Sequence, residues 1–245
     1  ADLVLVLAAE GAVDPERRGD QYWRIIERGV RKDLVDRRPA SGYAVRIDQV
    51  RYISVDGSGS VCFDARLGGG VVNTFGGPRY PVSPYRNGVT CYEGDNALFW
   101  RSDLPMDAGR LARFLERRVW GPGPAEEQAF AMTTALLGTG QLAAAQRAAI
   151  FSYLQDVPRV EVIHQAVPVD DRVGVAIGIA DAEAPYPPFI IIDEQTGEFL
   201  GTGWQGEQAQ YAVRITRDVV DELPADVVEQ ACLRASGRGP LVCPE

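Results

Sequence analysis

The first half of the chain alternates apolar and polar residues as β-strands do, after one short helical segment. Residues 2–11 are apolar on most sides and end at Gly11, which predicts a helix. The strand-like patterns that follow cover residues 21–35, 43–55 and 60–67. The D-G-S-G sequence at 56–59 is typical of a hairpin turn between the last two of them. The alternation slips by one position between Ile47 and Val50, which predicts a β-bulge or a bend, as in a strongly curved sheet.

The middle of the chain changes from an aperiodic stretch to helical patterns. Residues 68–90 are rich in glycine and proline and show no period, which indicates a long loop. Asp107 is suited to cap a helix over the apolar stripe that follows it. Two further helical patterns cover residues 124–138, which open on a proline, and residues 141–154.

Strand patterns return after Pro158 and continue nearly to the end. They cover residues 160–167, 172–180, 189–193, 198–204 and 211–216. Residues 172–180 place large side chains on one face and small ones on the other, where Gly178 lies. A row of small residues lets a neighbour approach closely, so we expect the helices to pack on that small face. Residues 227–235 predict a terminal helix.

The order of these elements, strands then helices then strands, predicts the α+β class. Sequential strands joined by hairpins form an antiparallel sheet. We expect this sheet to be strongly curved and half-barrel-like, with the helices covering one of its faces. No composition boundary divides residues 1–245, so a single domain is expected. Residues 224–245 would form a C-terminal helix and tail that a disulfide ties down.

The charge of the chain restricts its partners. The formal net charge is -9 over 245 residues. Because nucleic-acid binders carry basic surfaces, we expect no nucleic-acid partner, and an anionic membrane surface would repel this chain for the same reason. The longest apolar runs, such as residues 189–192, are far too short to span a bilayer.

The four cysteines indicate the compartment. Cys62, Cys91, Cys232 and Cys243 form an even set without a C-x-x-C pair and without a neighbouring histidine. That pattern argues against zinc and favours two disulfides, hence an oxidising environment outside the cytoplasm. Three pairings are open, and we expect Cys62–Cys91 and Cys232–Cys243, since each joins sequence neighbours across a turn-rich connection. The chain starts at Ala1 without a signal peptide, so we expect a signal peptide or membrane anchor upstream.

Several short signatures lie within roughly residues 1–220. They are Q-Y-W at 21–23, W-R-S-D-L-P at 100–105 with Asp107, R-A-A-I-F at 147–151 with Val157-Pro158, Asp193 with Thr196-Gly197, and Leu200-Gly201. Together these segments resemble a family of actinobacterial membrane-anchored proteins of unknown function. The resemblance implies an extracytoplasmic domain that follows a cytoplasmic segment and one transmembrane helix. In topology the chain is also similar to the curved sheets of LolA-like lipoprotein carriers and RseB-like sensors, which hold acyl chains or a partner in their concavity.

Candidate catalytic residues are few. His164 is the single histidine, so a Ser-His-Asp or Cys-His arrangement would have to use it. A lone histidine on a strand is typically structural, and we expect no catalytic role for it. The acidic pairs at 126–127 and 170–171, and Asp181 with Glu183, lack the spacing of calcium loops or zinc motifs, so no metal and no cofactor are predicted. Two carboxylates about 5–10 Å apart would suffice for glycoside hydrolysis, and 34 acidic residues leave that alternative open.

The tryptophans give the candidate binding surface. Trp23, Trp100, Trp120 and Trp204 lie in or beside predicted strands and helix ends, where such residues usually belong to the core. In a half-barrel some of them would line the space between sheet and helices. The candidate groove therefore consists of Trp23, Trp100, Trp204 and Gly178.

These patterns favour a non-enzymatic function. The leading hypothesis is an extracytoplasmic binding or sensing domain of a membrane-anchored bacterial envelope protein. Its partner would be another envelope protein or an apolar or lipid ligand. A carrier of lipids or lipoproteins and a hydrolase with an unrecognised carboxylate site are the alternatives.

Overall fold

Helices and antiparallel strands follow one another in nearly the order that the sequence predicts. The computed structural model describes residues 1–37, 40–55, 61–66, 71–75, 88–92, 104–118, 123–184, 187–205 and 211–229. The helices in these residues are α1 Asp2–Glu10, α2 Ala108–Glu116, α3 Ala125–Gly138 and α4 Ala144–Gln155. The strands are β1 Tyr22–Arg37, β2 Ala40–Ser54, β3 Val61–Arg66, β4 Val71–Phe75, β5 Gly88–Tyr92, β6 Val160–Val169, β7 Arg172–Ile179, β8 Pro188–Ile192, β9 Phe199–Trp204 and β10 Tyr211–Val220.

Within the described residues the strands form one antiparallel sheet, which confirms the α+β class. The strand order is β5-β3-β2-β1-β10-β9-β8-β7-β6, and β4 pairs with the first part of β2. Most neighbours in the sheet are also neighbours in sequence, joined by hairpins. The pairs β3–β5 and β2–β4 are exceptions within the first half of the chain. A third exception joins the two halves, because β1 pairs with β10 from Tyr22 opposite Val220 to Gly29 opposite Val213.

The helices cover the face of the sheet that carries the large side chains of β7 and β8. Leu111, Leu115, Phe130, Ile150 and Leu154 are buried together with β-strand residues in the largest core cluster. The strand residues of that cluster are Val175, Ile177, Ile179, Ile190 and Ile192. Helix α3 lies directly on β7, β8 and β9. We call this side of the sheet the helix face and the other side the far face.

The expectation that the helices pack on the small face of residues 172–180 is wrong. A Cβ atom at Gly178 would lie 2.8 Å from Cδ1 of Ile163, which belongs to the neighbouring strand β6. Ala176 is buried among Val167, Phe189 and other side chains of the sheet itself. The small residues thus make room for strand side chains on the far face. The helices instead cover the face that carries Val175, Ile177 and Ile179, the large side chains of β7, whose burial stabilises the fold.

The predicted bulge between Ile47 and Val50 is also wrong. Strands β1 and β2 pair without a register shift across these residues. Ile47 is buried on the helix face beside Trp23, whereas Val50 packs on the far face with Tyr52 and Val227. Both faces of β2 are therefore partly buried. The slip in the apolar pattern arises because the apolar residues of this regular strand lie on the helix face at Ile47 and on the far face at Val50.

The remaining differences concern missed strands and element boundaries. The stretch 68–90, expected to be a loop, contains β4 and starts β5, and the third helix of the central block starts at Ala144, later than expected. Residues 225–229 are helical, and the rest of the predicted terminal helix lies outside the described residues. Among the helices that the structure describes, none combines the length and apolarity needed to cross a bilayer.

Candidate functional site

A cavity of about 430 Å³ lies on the helix face, beneath the segment that connects α1 to β1. We call residues 11–21 the strap and this space the strap cavity. The other walls are the end of α3, the start of α4, the β8–β9 turn and β10. The apolar lining residues include Val13, Leu137, Leu142, Phe151, Phe199 and Ile215. Polar groups enter the lining at Arg147, Thr196, Glu198, Thr216 and Arg217.

The β8–β9 turn touches α1 because its left-handed position is a glycine. Gly197 has a φ of +71°, and a Cβ atom there would lie 2.3 Å from the carbonyl carbon of Leu7. The turn itself is fixed by Asp193, whose Oδ1 accepts from the N–H groups of Gln195 at 3.0 Å and Thr196 at 2.9 Å. The sequence E-Q-T-G therefore determines how closely α1 approaches the sheet at one wall of the cavity.

An arginine from β7 holds the carboxylate of that turn. Arg172 Nη2 donates to Asp193 Oδ2 at 2.6 Å, and Arg172 Nη1 lies 3.3 Å from Glu198 Oε2. The guanidinium, together with the Thr196 and Gln195 N–H groups, lowers the pKa of Asp193 to about 2. Each of these groups stabilises the charged form of the carboxyl group.

Asp14 of the strap binds two arginines at the opposite end of the cavity. Its Oδ1 accepts from Arg147 Nη1 at 3.2 Å and from Arg217 Nη2, and its Oδ2 accepts from the N–H of Ala144 at 2.8 Å. The exposed fractions of the side chains are 21% for Asp14, 14% for Arg147 and 12% for Arg217. Arg147 Nη2 also donates to the carbonyl oxygen of Val13 at 2.9 Å. This ion cluster fastens the strap to α4 and β10.

The cluster supplies end groups that the helices lack in their own sequence. Helix α4 starts after Ala143, which has no capping oxygen, and its first turn has no acidic residue. Asp14 places a carboxylate there, where the N–H groups and the helix dipole favour negative charge. In the same way α3 has no basic residue in its last turn.

Arginines of the sheet approach the C-terminal end of α3. Arg51 Nη2 donates to the carbonyl oxygen of Thr139 at 2.8 Å, and Arg217 Nη1 donates to the carbonyl oxygens of Gly140 and Leu142. Arg51 also forms a buried ion pair with Glu27. The carbonyl oxygen of Leu142 also accepts from Arg147 Nη1 at 2.8 Å. Arginine side chains thus provide hydrogen-bond donors for the carbonyl groups of the α3–α4 connection, which lies in a segment without regular structure.

Positive charge is in excess at this end of the cavity. The guanidinium of Arg217 lies 4.6 Å from the ring centroid of Trp23, and that of Arg17 lies 5.1 Å from the same centroid. Burial lowers the pKa of Arg217, Asp14 partly opposes that shift, and the nearby charge of Arg17 adds to it. An additional anion beside Arg217 would therefore stabilise the cationic form of its side chain.

A second cavity, of about 420 Å³, opens on the far face between the β1–β2 pair and the β6–β7 turn. Arg28, Asp48, Val169 and Ala212 are among its lining residues. The Arg28 Nε to Asp48 Oδ1 distance is 3.2 Å, and both side chains are about half exposed. Such a pair is largely screened by solvent, so this cavity has weaker features for recognition than the strap cavity.

The structure brings together only part of the candidate groove. Trp23 is fully buried on the helix face, and Trp204 packs at the edge of the same cluster. Gly178 lies on the far face, because it is opposite Phe189 in the β7–β8 pair and Phe189 belongs to the far-face cluster. Trp100 lies outside the described residues, as does Trp120.

The cysteines are placed through the backbone register alone. Strands β3 and β5 pair so that Cys62 is directly opposite Cys91. Opposed residues of an antiparallel pair have Cα atoms about 4.5–5.5 Å apart, within the range that a disulfide spans. Cys232 and Cys243 lie outside the described residues, and both pairings remain predictions.

The acidic residues and the histidine have structural partners. Arg159 Nη2 lies 2.9 Å from Glu126 and 3.2 Å from Glu127, and His164 packs edge-on against Phe189 with 6.3 Å between ring centroids. In the parts of the chain that the structure describes, no three His, Cys, Asp or Glu side chains converge as they would around a metal ion.

Sequence reasoning missed Asp14 and Arg217, and it noted Arg147 only as part of the R-A-A-I-F signature. One signal was present, because Arg217 follows Val213 and Ile215 at the spacing of the same strand face. A charge in line with buried apolar residues indicates a buried partner. Asp14 gives no comparable signal, since it lies in a polar segment among other charged residues.

Comparison of the chain with models of known protein families finds no match. Comparison with functionally characterised proteins finds no similar sequence. The geometry of the chain is thus the basis for the function proposed below.

Proposed function

We propose that this protein is a non-enzymatic binding or sensing domain at a bacterial cell envelope, and that the strap cavity is its ligand site. The observation that supports this is the cavity itself, which combines an apolar lining with convergent guanidinium groups at one end. Small-molecule sites typically have volumes of about 300–1,000 Å³ and a few placed polar groups in an apolar wall. The strap cavity has this composition.

A half-barrel form of the sheet is part of the proposal. Strand β6 contacts β10 although β7, β8 and β9 lie between them in the sheet. This contact supports a bend of this half of the sheet toward the far face. In a half-barrel of that form, the concave side would be filled by Val167, Val169, Phe189, Ile191 and Leu200, which are buried together. Because these side chains would occupy the concavity, the strap cavity on the opposite face is the better ligand site, and the lipid-carrier alternative has less support.

The location outside the cytoplasm rests on the cysteines and on the resemblance to membrane-anchored proteins. The backbone register of Cys62 and Cys91 is compatible with a disulfide. A domain attached to the membrane by an upstream segment would place the strap, which follows α1, between the attachment point and the ligand site. A change in the strap on ligand binding would then be transmitted through α1 to the segment that leads to the membrane.

Ligand binding is tested by thermal unfolding with a panel of neutral, anionic and cationic small amphiphiles. We expect at least one class to raise the melting temperature, because a ligand that binds only the folded state stabilises it. The variant Ala12→Phe, which puts a ring into the cavity from the strap, should abolish the shift. Ala112→Phe on α2 is the matched control, since Ala112 does not line the cavity. A panel without any shift, or a shift that survives Ala12→Phe, contradicts the proposed site.

Catalysis through the single histidine of the chain is tested at His164. We expect His164→Ala to fold and to keep the ligand-dependent shift, since His164 lies on the far face against Phe189. Loss of function at an unchanged melting temperature would overturn the non-enzymatic proposal.

A further inference from the structure

We propose that the ligand of the strap cavity is a small amphipathic anion, whose carboxylate pairs with the guanidinium groups and whose apolar part lies on the aromatic wall. This inference rests on the proposed binding function and specifies its chemistry. It follows from the charge at the site, from the unused donors of its arginines and from the shape of the lining.

The charge at this end of the cavity is positive, which is opposite in sign to the net charge of the chain. The chain has a net charge of -9, yet Arg147 and Arg217 share the single carboxylate of Asp14. Glu198 also borders the cavity, but its two oxygens each lie 3.3 Å from another arginine, Arg172 or Arg214. Among the residues that the structure describes, one guanidinium charge therefore remains without a counter-charge. A ligand anion supplies that charge.

The arginines also have hydrogen-bond donors left for a ligand. Each guanidinium has five N–H groups. Arg147 uses three of them, for Asp14, Leu142 and Val13. Arg217 uses three for Asp14, Gly140 and Leu142. Two N–H groups of each arginine remain, and paired N–H donors match the geometry of a carboxylate.

The apolar wall of the cavity determines the size and apolar character of the part of the ligand that lies outside its carboxylate. Phe151 and Phe199 border the cavity with 6.4 Å between their ring centroids, and Leu137 and Ile215 extend the same surface. A volume of about 430 Å³ lies near the lower end of the range of about 300–1,000 Å³ that is typical of small-molecule sites. It matches a single short chain or one ring system better than a lipid with two acyl chains.

The test compares three probes of equal chain length by calorimetric titration at low salt: octanoate, 1-octanol and octylammonium. We expect octanoate to bind at least about tenfold more tightly than 1-octanol, because only it forms charge-assisted hydrogen bonds. Octylammonium should bind more weakly than both. Equal affinity for octanoate and 1-octanol overturns the anionic assignment.

A variant pair on the exposed part of the strap changes the charge while preserving the fold. Val13 borders the cavity and is 74% exposed, so its replacement should leave the melting temperature nearly unchanged. Both variants remove the same apolar side chain from the lining, so both should weaken 1-octanol binding to the same extent. Val13→Glu should weaken octanoate binding about fivefold or more relative to Val13→Gln, because only glutamate neutralises the excess charge. Equal effects of Val13→Glu and Val13→Gln on octanoate contradict the charge argument.

The outcomes separate this inference from the function that it refines. If only neutral or cationic members of the thermal panel stabilise the protein, and Ala12→Phe blocks them, the cavity remains the ligand site and the anionic assignment is wrong. If no member stabilises the protein and octanoate does not bind, both the assignment and the proposed function are wrong.

Discussion

The ion cluster at Asp14 gives the sharpest test of how the strap is held. Replacing Asp14 by alanine removes the carboxylate that accepts from Arg147, from Arg217 and from the N–H of Ala144. Loss of a helix cap costs about 1 kcal/mol. Leaving a largely buried guanidinium without its charged partner adds about 2–3 kcal/mol. We therefore expect the free energy of unfolding to fall by about 3–4 kcal/mol.

The thermal consequence follows from the size of the chain. For a domain of this length, 1 kcal/mol shifts the melting temperature by about 2–4 °C, so Asp14→Ala should lower it by about 6–16 °C. Asp14→Asn separates the two contributions, because asparagine still caps α4 but carries no charge. It should recover about 1 kcal/mol of the loss. Circular dichroism during heating, with urea titration at 25 °C as a second measure, provides the assay.

The matched control is an ion pair with little burial. Arg24 and Asp218 form a salt bridge whose side chains are 38% and 48% exposed. Exposed pairs stabilise by about 0–1 kcal/mol, so Asp218→Ala should lower the melting temperature by at most about 4 °C. If Asp14→Ala has no larger effect than Asp218→Ala, the strap is not held by its ion cluster and the argument about helix ends is refuted.

Three further predictions follow from the sheet. Gly178→Leu should lower the free energy of unfolding by about 1–3 kcal/mol, because the larger side chain overpacks against Ile163. The double variant with Ile163→Ala should recover part of this loss. If the losses of the two single variants simply add, the contact between these residues is contradicted. Because Asp193 has a pKa of about 2 against an ordinary 3.8, its stabilisation is complete above about pH 4 and fades toward pH 2. The difference in melting temperature between wild type and Asp193→Asn should shrink over that range, and a constant difference refutes it. Peptide mapping without reductant should find Cys62 joined to Cys91, worth about 3–4 kcal/mol, and any other partner of Cys62 contradicts the pairing.

The sequence was sufficient for the type and order of most elements, because these depend on local periodicity. The alternation of residues 172–180 and the T-G turn before β9 predict β7 and its neighbours nearly to their ends. Strands β4 and β5 were missed because glycine and proline around them hide five-residue patterns. Which face the helices cover could not be derived from periodicity. Small residues admit either a helix or long strand side chains, and here Ile163 lies against Gly178.

The strap cavity could not be predicted from local sequence patterns, because its residues are far apart in the chain. Asp14 and Arg217 are 203 positions apart in sequence, and they meet only because β1 pairs with β10. A long-range strand pair of this kind has no signature in either segment alone. The members of a buried ion pair are polar, so the pattern of apolar positions along the chain does not reveal them.

The cavity itself can be understood from how the strap is fastened. The chain is held at α1, where Gly197 of the β8–β9 turn touches the backbone of Leu7, and again at Asp14 by the two arginines. Between these points lies Ala12, whose side chain is too small to fill the space beneath it. The strap therefore spans the gap between the helices and β10 without closing it. The cavity is thus a consequence of two fixed points and one small residue between them, and a larger side chain at Ala12 should fill the cavity while both attachments persist.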